Sequence, residues 1–306
     1  MLSSNFEVID FHVHPLKLLS EKLLMEELDF CNVKKCVLLA IDVDHKILDK
    51  KEVKNKIIKM LFDRGHWDFW AFEHMKCTLQ LAKITNEEVA SLMNSYPSRL
   101  IGIGSINAFF GEEYIKEKIE EIKRLGLKGV KIIPTLQFFD PVEKMEELRL
   151  IFDFCEKNRK LILIHTGCDP GPWEDPRLSN NAKPSKFRLI VSEFPDAYVV
   201  FAHAGSYSIK FPGIWLEEAL EICRKHDNVW VDIAAVSYLV LERKFIRKIK
   251  ETIGIERVLF GSDYPVIAGK AIKDSINDVT SSKEINGEEA EQILHLNALE
   301  ILKHIK

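Results

Sequence analysis

Eight short apolar runs recur along the chain, and charged segments of helical periodicity separate most of them. The runs are nearly continuous rather than alternating, which is typical of strands buried on both faces. They are Val8 to Phe11, Cys36 to Ala40, Leu100 to Ile106, Gly129 to Ile133, Leu161 to Ile164, Tyr198 to Ala202, Val229 to Ile233 and Val258 to Gly261. From the fourth run onward a new one starts about every 30 residues, the length of a βα unit. The pattern predicts an α/β fold, a single (β/α)8 TIM barrel over residues 1–306.

The alternative architecture is an open, doubly wound parallel sheet. That fold typically carries a glycine-rich phosphate-binding turn directly after its first strand. In this chain the same position holds the tetrapeptide His12-Val13-His14-Pro15. The closed barrel is therefore the favoured prediction.

Two stretches are longer than a minimal barrel requires. Residues 41–99 are too long for one crossover, so we expect a long insertion between strands two and three, either a cap over the mouth or an extra helix on the rim. It contains an aromatic cluster at residues 66–72. We expect most of these aromatics to pack on the rim and one or two, with Trp70 as the candidate, to face the site. Residues 166–185 form a second long loop on the face where barrel active sites lie.

The composition is that of an ordinary globular protein, with 306 residues, 46% of them hydrophobic, 29% charged and a formal net charge of -4. No basic block favours nucleic acid or an anionic membrane surface as a partner. No apolar run approaches a membrane span, and the first residues lack the features of a signal peptide. We expect a cytoplasmic protein that acts on a small molecule, with a homodimer as the common default.

Polar side chains stand where several predicted strands end. His12 and His14 follow the first strand, and residues two apart on a strand point the same way, so their imidazoles form half of a metal site. Later strands end in His165, His203 and Asp263. The carboxyl ends of barrel strands converge on one pocket, so these five side chains are expected to meet there. Buried polar side chains need partners, and one shared metal ion would supply a partner to all of them.

Two further polar residues lie inside predicted strands. Lys131, in strand four, would be costly to bury unless it is paired. We expect it to pair with Asp263 or a substrate carboxylate, or to be carbamylated and bridge two metals. Asp10 precedes the histidine pair, where it would either orient an imidazole or cap the barrel interior.

The motifs together resemble those of a known superfamily. They are Asp-x-His-x-His at strand one, Gly-Val-Lys at strand four, Ile-His-Thr-Gly at strand five, Ala-His-Ala-Gly at strand six and Phe-Gly-Ser-Asp-Tyr-Pro at strand eight. This set resembles the amidohydrolase superfamily and covers almost the whole chain. More narrowly, it is similar to the branch of TIM-barrel metal-dependent hydrolases that includes aminocarboxymuconate semialdehyde decarboxylase and related aromatic-acid decarboxylases.

The resemblance implies roles for the residues at the strand ends. His12, His14 and His165 would bind a divalent metal, expected to be one Zn ion per chain, with Asp263 as a further ligand and the catalytic base. His203 would be catalytic by orienting or polarising the metal-bound water or the substrate. In related two-metal enzymes Lys131 and His203 would hold a second ion.

These residues predict a metal-dependent hydrolase that activates water against a small amide, ester or lactone. The alternative is a lyase with the same ligands, a non-oxidative decarboxylase or hydratase of an unsaturated or aromatic carboxylic acid. A decarboxylase needs cationic groups to hold the carboxylate, and the candidates are Arg177, Lys183, Lys186 and Lys131. The residues expected to bind the substrate are Arg177, Trp70 and Lys131. The remote alternative, a non-catalytic barrel, would be indicated by a missing ligand or base, and none is missing.

Overall fold

Parallel strands form a single sheet in which each strand pairs with the next in chain order. This computed structural model describes residues 6–17, 19–63, 69–267 and 269–306. The eight strands in these ranges are β1 Val8–Val13, β2 Val33–Leu39, β3 Leu100–Ser105, β4 Gly129–Ile132, β5 Leu161–Gly167, β6 Val199–Tyr207, β7 Val229–Asp232 and β8 Val258–Leu259. All eight predicted strands are confirmed, although several boundaries differ.

The segment after β8 returns beside β1 and brings the sheet close to closure. The backbone N–H of Phe11 donates to the carbonyl oxygen of Phe260 at 2.9 Å. Further along, the N–H of Asp263 donates to the carbonyl oxygen of His12 at 2.9 Å, and Val13 pairs in parallel with Tyr264. The predicted TIM-barrel fold is confirmed, and its closure places the end of β8 against the end of β1.

Helices cover the outside of the sheet because each buries one apolar stripe. In the helix Glu112–Leu125, Ile115, Ile119 and Ile122 recur at helical spacing and are buried, while the charged residues between them face solvent. The α-helices are α1 Glu21–Phe30, α2 Lys51–Asp63, α3 Phe69–Ala82, α4 Asn86–Ser95, α5 Glu112–Leu125, α6 Met145–Asn158, α7 Pro176–Ser179, α8 Arg188–Glu193, α9 Leu216–Lys225, α10 Ser237–Val240, α11 Arg243–Ile253, α12 Ile272–Ser281, α13 Gly287–Glu291 and α14 Asn297–Lys303. No helix in the described ranges is long and apolar enough to cross a bilayer.

The connection from β2 to β3 contains α2, α3 and α4, of which α4 packs directly on β3. The carboxyl-terminal end of α3 reaches the barrel mouth through Thr78, Leu81 and Ala82. Of the aromatic cluster, residues 66–68 lie outside the described residues, and the Trp70 side chain is exposed. Phe72 is buried in the hydrophobic core. The interpretation of residues 41–99 as an insertion stays a prediction.

Candidate metal centre and active site

Three donor atoms from β1 and the segment after β8 form a compact triangle. The Nε2 atoms of His12 and His14 are 3.2 Å apart. Oδ1 of Asp263 lies 3.5 Å from Nε2 of His12 and 3.4 Å from Nε2 of His14. All three side chains are buried. Ligands at the bond lengths of tetrahedral zinc lie about 3.3 Å from one another, so the triangle matches one face of such a site.

Second hydrogen bonds fix which nitrogen of each imidazole faces the triangle. Nδ1 of His12 lies 2.9 Å from Oδ2 of Asp232, and Nδ1 of His14 lies 3.3 Å from the carbonyl oxygen of Leu39. Both acceptors require an N–H at Nδ1, which leaves a lone pair on each Nε2. Burial also holds the pKa of His12 well below its usual range, so this ring is neutral. Two lone pairs facing each other at 3.2 Å repel, and a divalent cation between them removes the repulsion.

Asp232, at the end of β7, is a site residue that the sequence interpretation missed. Its Oδ1 accepts backbone N–H groups from His203 at 2.8 Å and Ala234 at 3.0 Å, while Oδ2 faces His12. Together with His12 and His203 it forms a second group of donors whose atoms lie within 4.8 Å of one another. The sequence did contain an indication of this role, because Asp232 is an acidic residue near the end of a predicted strand. The carboxylate that orients an imidazole is therefore Asp232.

Asp10 does not orient an imidazole, which was the first of the two roles considered for it. Its Oδ1 accepts the backbone N–H of His12 at 3.2 Å and of Ser262 at 3.0 Å. Burial raises its pKa to about 7. Asp10 joins the end of β1 to the segment after β8 and contacts backbone rather than an imidazole ring.

We expect the variant Asp232→Asn to bind its metal about 10- to 100-fold more weakly, the usual effect of losing a residue that orients a histidine ligand. An asparagine cannot present acceptors both to the two backbone N–H groups and to Nδ1 of His12. Competition with a chelator of known affinity measures the change. Asp42→Asn is the matched control, because Asp42 is a largely buried carboxylate that contacts Tyr114 and the Asn107 backbone instead. Unchanged metal affinity in Asp232→Asn would contradict this role.

His165 and His203 lie side by side next to the triangle. Nδ1 of His165 is 3.2 Å from Nε2 of His203, whose own Nδ1 donates to the carbonyl oxygen of Ala234 at 2.8 Å. Nε2 of His165 is buried with no hydrogen-bond partner, and Oδ1 of Asp169 lies 3.3 Å from it. An unpartnered imidazole nitrogen at this place suits a ligand, and the role of His165 as the third histidine of the metal site stays a prediction.

Left-handed backbone conformations occur at two of the predicted catalytic residues. His203 has a φ of 62°, and Asp263 also has a φ of 62°. Such a conformation costs a residue other than glycine about 1–3 kcal/mol and persists only where surrounding contacts impose it. At Asp263 the backbone bond to His12 is one such contact. Both residues line the cavity at the carboxyl ends of the strands.

The charges around the triangle are arranged to keep Asp263 ionised. Burial raises the pKa of Asp263, but its interactions with His14, His12 and the ammonium of Lys131 outweigh burial and lower it. Lys131 is 1% exposed, and its Nζ lies 3.3 Å from Nε2 of His12. Burial lowers the pKa of Lys131 to about 8, against the raising effect of Asp232, Asp263 and Asp169. The lysine therefore still carries its proton at neutral pH.

A cavity of about 420 Å³ opens above the triangle at the carboxyl ends of the strands. It brings together most of the predicted site residues, since its lining includes His14, Lys131, His165, His203 and Asp263. The rest of the wall is mainly apolar and includes Leu16, Ile41, Leu81, Ile133, Leu136 and Trp173. A larger concavity of about 580 Å³ lies at the opposite end of the barrel, before β5, β6 and β7, and contains none of the predicted site residues. Active sites of TIM barrels lie at the carboxyl-terminal face, which favours the smaller cavity.

Two of the three predicted substrate-binding residues lie away from the described lining of this cavity. The Arg177 guanidinium pairs with Asp175 at 2.8 Å and with Asp63 at 3.1 Å. Trp70 is 75% exposed. Lys131 is the one member of that set that lines the cavity.

Three lining residues were missed in the sequence: Asp169, Trp173 and Tyr207. The ring of Tyr207 stacks on His203, with centroids 4.5 Å apart and an interplanar angle of 22°. A Cβ at Gly167 would lie 2.5 Å from the Tyr207 backbone nitrogen, so only glycine permits this approach of β5 and β6. Asp169 and Trp173 lie in the long loop after β5, and Tyr207 is the last residue of β6. No local sequence pattern distinguishes these three residues from their neighbours.

Comparison with known proteins identifies the family. The amidohydrolase family model matches residues 9–303. A 2-amino-3-carboxymuconate-6-semialdehyde decarboxylase of Dictyostelium discoideum is 26% identical over 260 residues, covering 73% of this chain and 67% of that protein. A solved TIM-barrel protein of Bordetella bronchiseptica superposes with a TM-score of 0.68 at 18% identity, covering 97% of this chain and 98% of the other.

A second solved structure is that of a 5-carboxyvanillate decarboxylase of Novosphingobium aromaticivorans with bound manganese and 3-methoxy-4-hydroxy-5-nitrobenzoic acid. It superposes with a TM-score of 0.63 at 15% identity, covering 98% of each chain. The predicted resemblance is thus confirmed, and with it a metal-dependent enzyme that is either a hydrolase or a decarboxylase. The chain belongs to the amidohydrolase family.

Proposed function

We propose that this enzyme is a metal-dependent, non-oxidative decarboxylase of a small aromatic or unsaturated carboxylic acid. The main support for this proposal is Lys131, whose ammonium is buried in a cavity with mainly apolar walls. Among the described residues this ammonium has no ion-pair partner, and its neighbour is Nε2 of His12. A buried charge is expensive unless it is paired, and a substrate carboxylate supplies the missing charge. The decarboxylase activities of two similar proteins support the lyase over the hydrolase that the sequence favoured.

The metal would be held by His12, His14 and Asp263, whose donor atoms form the triangle, with His165 as the further ligand. When bound, the ion supplies positive charge that stabilises the electron pair left on the substrate as carbon dioxide departs. We propose zinc, as the donor set suits it, although the similar 5-carboxyvanillate decarboxylase holds manganese. A cytoplasmic location and a homodimer likewise stay predictions.

The protein's own residues would bind the carboxylate, exclude water and move one proton. Lys131 holds the carboxylate in an apolar cavity, where a charged carboxylate is poorly solvated and neutral carbon dioxide is not penalised. The bond between the carboxyl carbon and the substrate breaks, and its electron pair stays on the substrate carbon. That carbon must then gain a proton. Asp263, ionised at neutral pH, would first accept a proton from a water molecule and then deliver it to that carbon. The hydroxide left from the water would combine with the released carbon dioxide as bicarbonate.

A substrate panel tests this function. Metal-loaded protein would be incubated with aromatic and unsaturated carboxylic acids, and carbon dioxide release would be measured against a parallel panel of amides, esters and lactones. We expect carbon dioxide from at least one acid and no hydrolysis of the second panel. Hydrolysis without any carbon dioxide release would overturn the proposal in favour of the hydrolase.

The variant Lys131→Met is expected to lower kcat/KM for a carboxylate substrate by about 10²- to 10³-fold. The reason is that removing one partner of a buried ion pair leaves the other uncompensated, at a cost of about 3–5 kcal/mol. Steady-state kinetics measure the change. Lys160→Met is the control, because burial also lowers the pKa of Lys160, which lies at the opposite end of the barrel before β5. If Lys131→Met lowered kcat/KM no more than Lys160→Met does, Lys131 would not be the group that binds the substrate carboxylate.

A further inference from the structure

A second cavity, of about 240 Å³, lies beside the active-site cavity on the side of β1. It is lined by the segment that follows β1, by the first turn of α1 and by one face of α4. Leu16 and Lys17 line this cavity and also line the active-site cavity. At these two residues, one layer of side chains therefore separates the two cavities.

Leu16 is the fixed part of this wall. Its backbone N–H donates to the carbonyl oxygen of His14 at 2.7 Å, and its own carbonyl oxygen accepts the N–H of Leu19 at 2.8 Å. The Leu16 side chain is partly buried and packs against the hydrophobic core, whereas Lys17 is exposed. A lysine keeps its ammonium in water and can move its stem aside without losing a buried contact. A leucine packed against the core loses contacts if it moves, so Leu16 holds the wall closed.

The second cavity offers apolar surface to a ligand, and its two carboxylates are already engaged. Glu88 accepts the backbone N–H of Thr85 at 2.7 Å within the capping box at the start of α4. Glu21 accepts a hydrogen bond from the hydroxyl of Tyr96. The apolar part of the wall consists of Pro15, Leu16, Leu19, Leu24 and Leu92. An apolar chain is therefore the kind of group that gains most by entering this cavity.

We infer that Leu16 determines the length of substrate that the enzyme accepts on the β1 side of the active site. With Leu16 in place, the substrate is a compact acid confined to the cavity of about 420 Å³. Truncation of Leu16 to alanine joins the two cavities, and an apolar chain attached to the acid then extends into the second one. This inference rests on the proposed function, because it takes a carboxylic acid as the bound molecule.

Binding of acids with alkyl chains of increasing length tests this role without relying on turnover. The probes are the 3- and 4-alkylbenzoates from methyl to butyl, with dissociation constants from calorimetry on metal-loaded wild type and Leu16→Ala. In the wild type, affinity should not rise with chain length in either series. In Leu16→Ala, one series should bind about fourfold more tightly for each added methylene group, the usual gain for burying one. The same gain in the wild type, or no gain in the variant, would overturn the inference.

Further variants show where the alkyl chain lies. Leu92→Ala is the matched control, because it enlarges the second cavity from α4 and leaves the wall intact, so it should behave like the wild type. Leu16→Val, the milder truncation, should show a smaller gain of the same kind, and metal content is measured on every sample. Adding Ser91→Phe to Leu16→Ala fills the second cavity from α4 and should abolish the gain. A gain that survived in this double variant would show that the chain lies elsewhere and would refute the role of Leu16.

A parallel series of 3- and 4-alkylbenzyl alcohols distinguishes this inference from the proposed function. These probes keep the ring and the chain but carry no carboxylate. If chain length raises affinity in Leu16→Ala but the benzoates bind no more tightly than the alcohols, Leu16 keeps its role and the carboxylate site at Lys131 is rejected. If the wild type releases carbon dioxide from an acid but neither series gains affinity with chain length in Leu16→Ala, the decarboxylase stands and the role of Leu16 is rejected.

Discussion

Replacing Asp263 with asparagine is expected to lower kcat by about 10²- to 10⁴-fold, the range for loss of a positioned acid–base group. Asparagine keeps the size of the side chain and one oxygen near Nε2 of His12 and His14, but it cannot accept and return a proton. The measurement is carbon dioxide release under saturating substrate, with metal content determined on the same samples. Loss of the ion and loss of proton transfer are then distinguished.

Asp42→Asn is again the control for this experiment, because the wild-type Asp42 carboxylate is largely buried and lies outside the site described above. It should retain kcat close to that of the wild type. If Asp263→Asn, with its metal in place, matched the control, Asp263 would not be the group that moves the proton.

The second large effect is expected from His14→Ala, which removes one corner of the donor triangle. Metal bound to the folded chain stabilises it by mass action, by about 4 kcal/mol at a free metal concentration 1,000 times the dissociation constant. We expect this metal-dependent increase in the free energy of unfolding to disappear in the variant. Denaturant unfolding with and without added metal measures it.

His304→Ala is the matched control for this loss. His304 is exposed and stacks on Tyr198 at the opposite end of the barrel, with ring centroids 5.0 Å apart. The control should keep the full metal-dependent stabilisation. A His14→Ala protein that is stabilised by metal as much as the wild type would show that the triangle does not hold the ion.

Much of the fold could be predicted because its signals are local. A strand buried on both faces has to be apolar throughout, and this rule located all eight strands from the sequence. The same rule made His12, His14 and Asp263 conspicuous, because polar residues at the ends of such strands need a common partner. Closure of β8 onto β1 then brings Asp263 to the histidine pair, as the barrel predicts.

The remaining site residues depend on contacts between distant parts of the chain. Asp232 is identified by its bond to His12, 220 positions away in the sequence. Arg177 was a reasonable candidate for a carboxylate-binding residue, but Asp63 of α2, 114 positions away, pairs with it. Asp169 and Trp173 are identified by their place in the lining of the cavity. None of these facts leaves a periodic pattern in the sequence.

Metal content per chain, from elemental analysis of protein purified without chelator or added metal, tests the central claim most directly. The donor triangle predicts about one divalent ion per chain, lost in the variant His12→Ala. About two ions would bring Lys131 and His203 into the ligand set and would contradict a single-metal site. Protein that holds no ion and takes up none on exposure to zinc or manganese would contradict the metal centre itself.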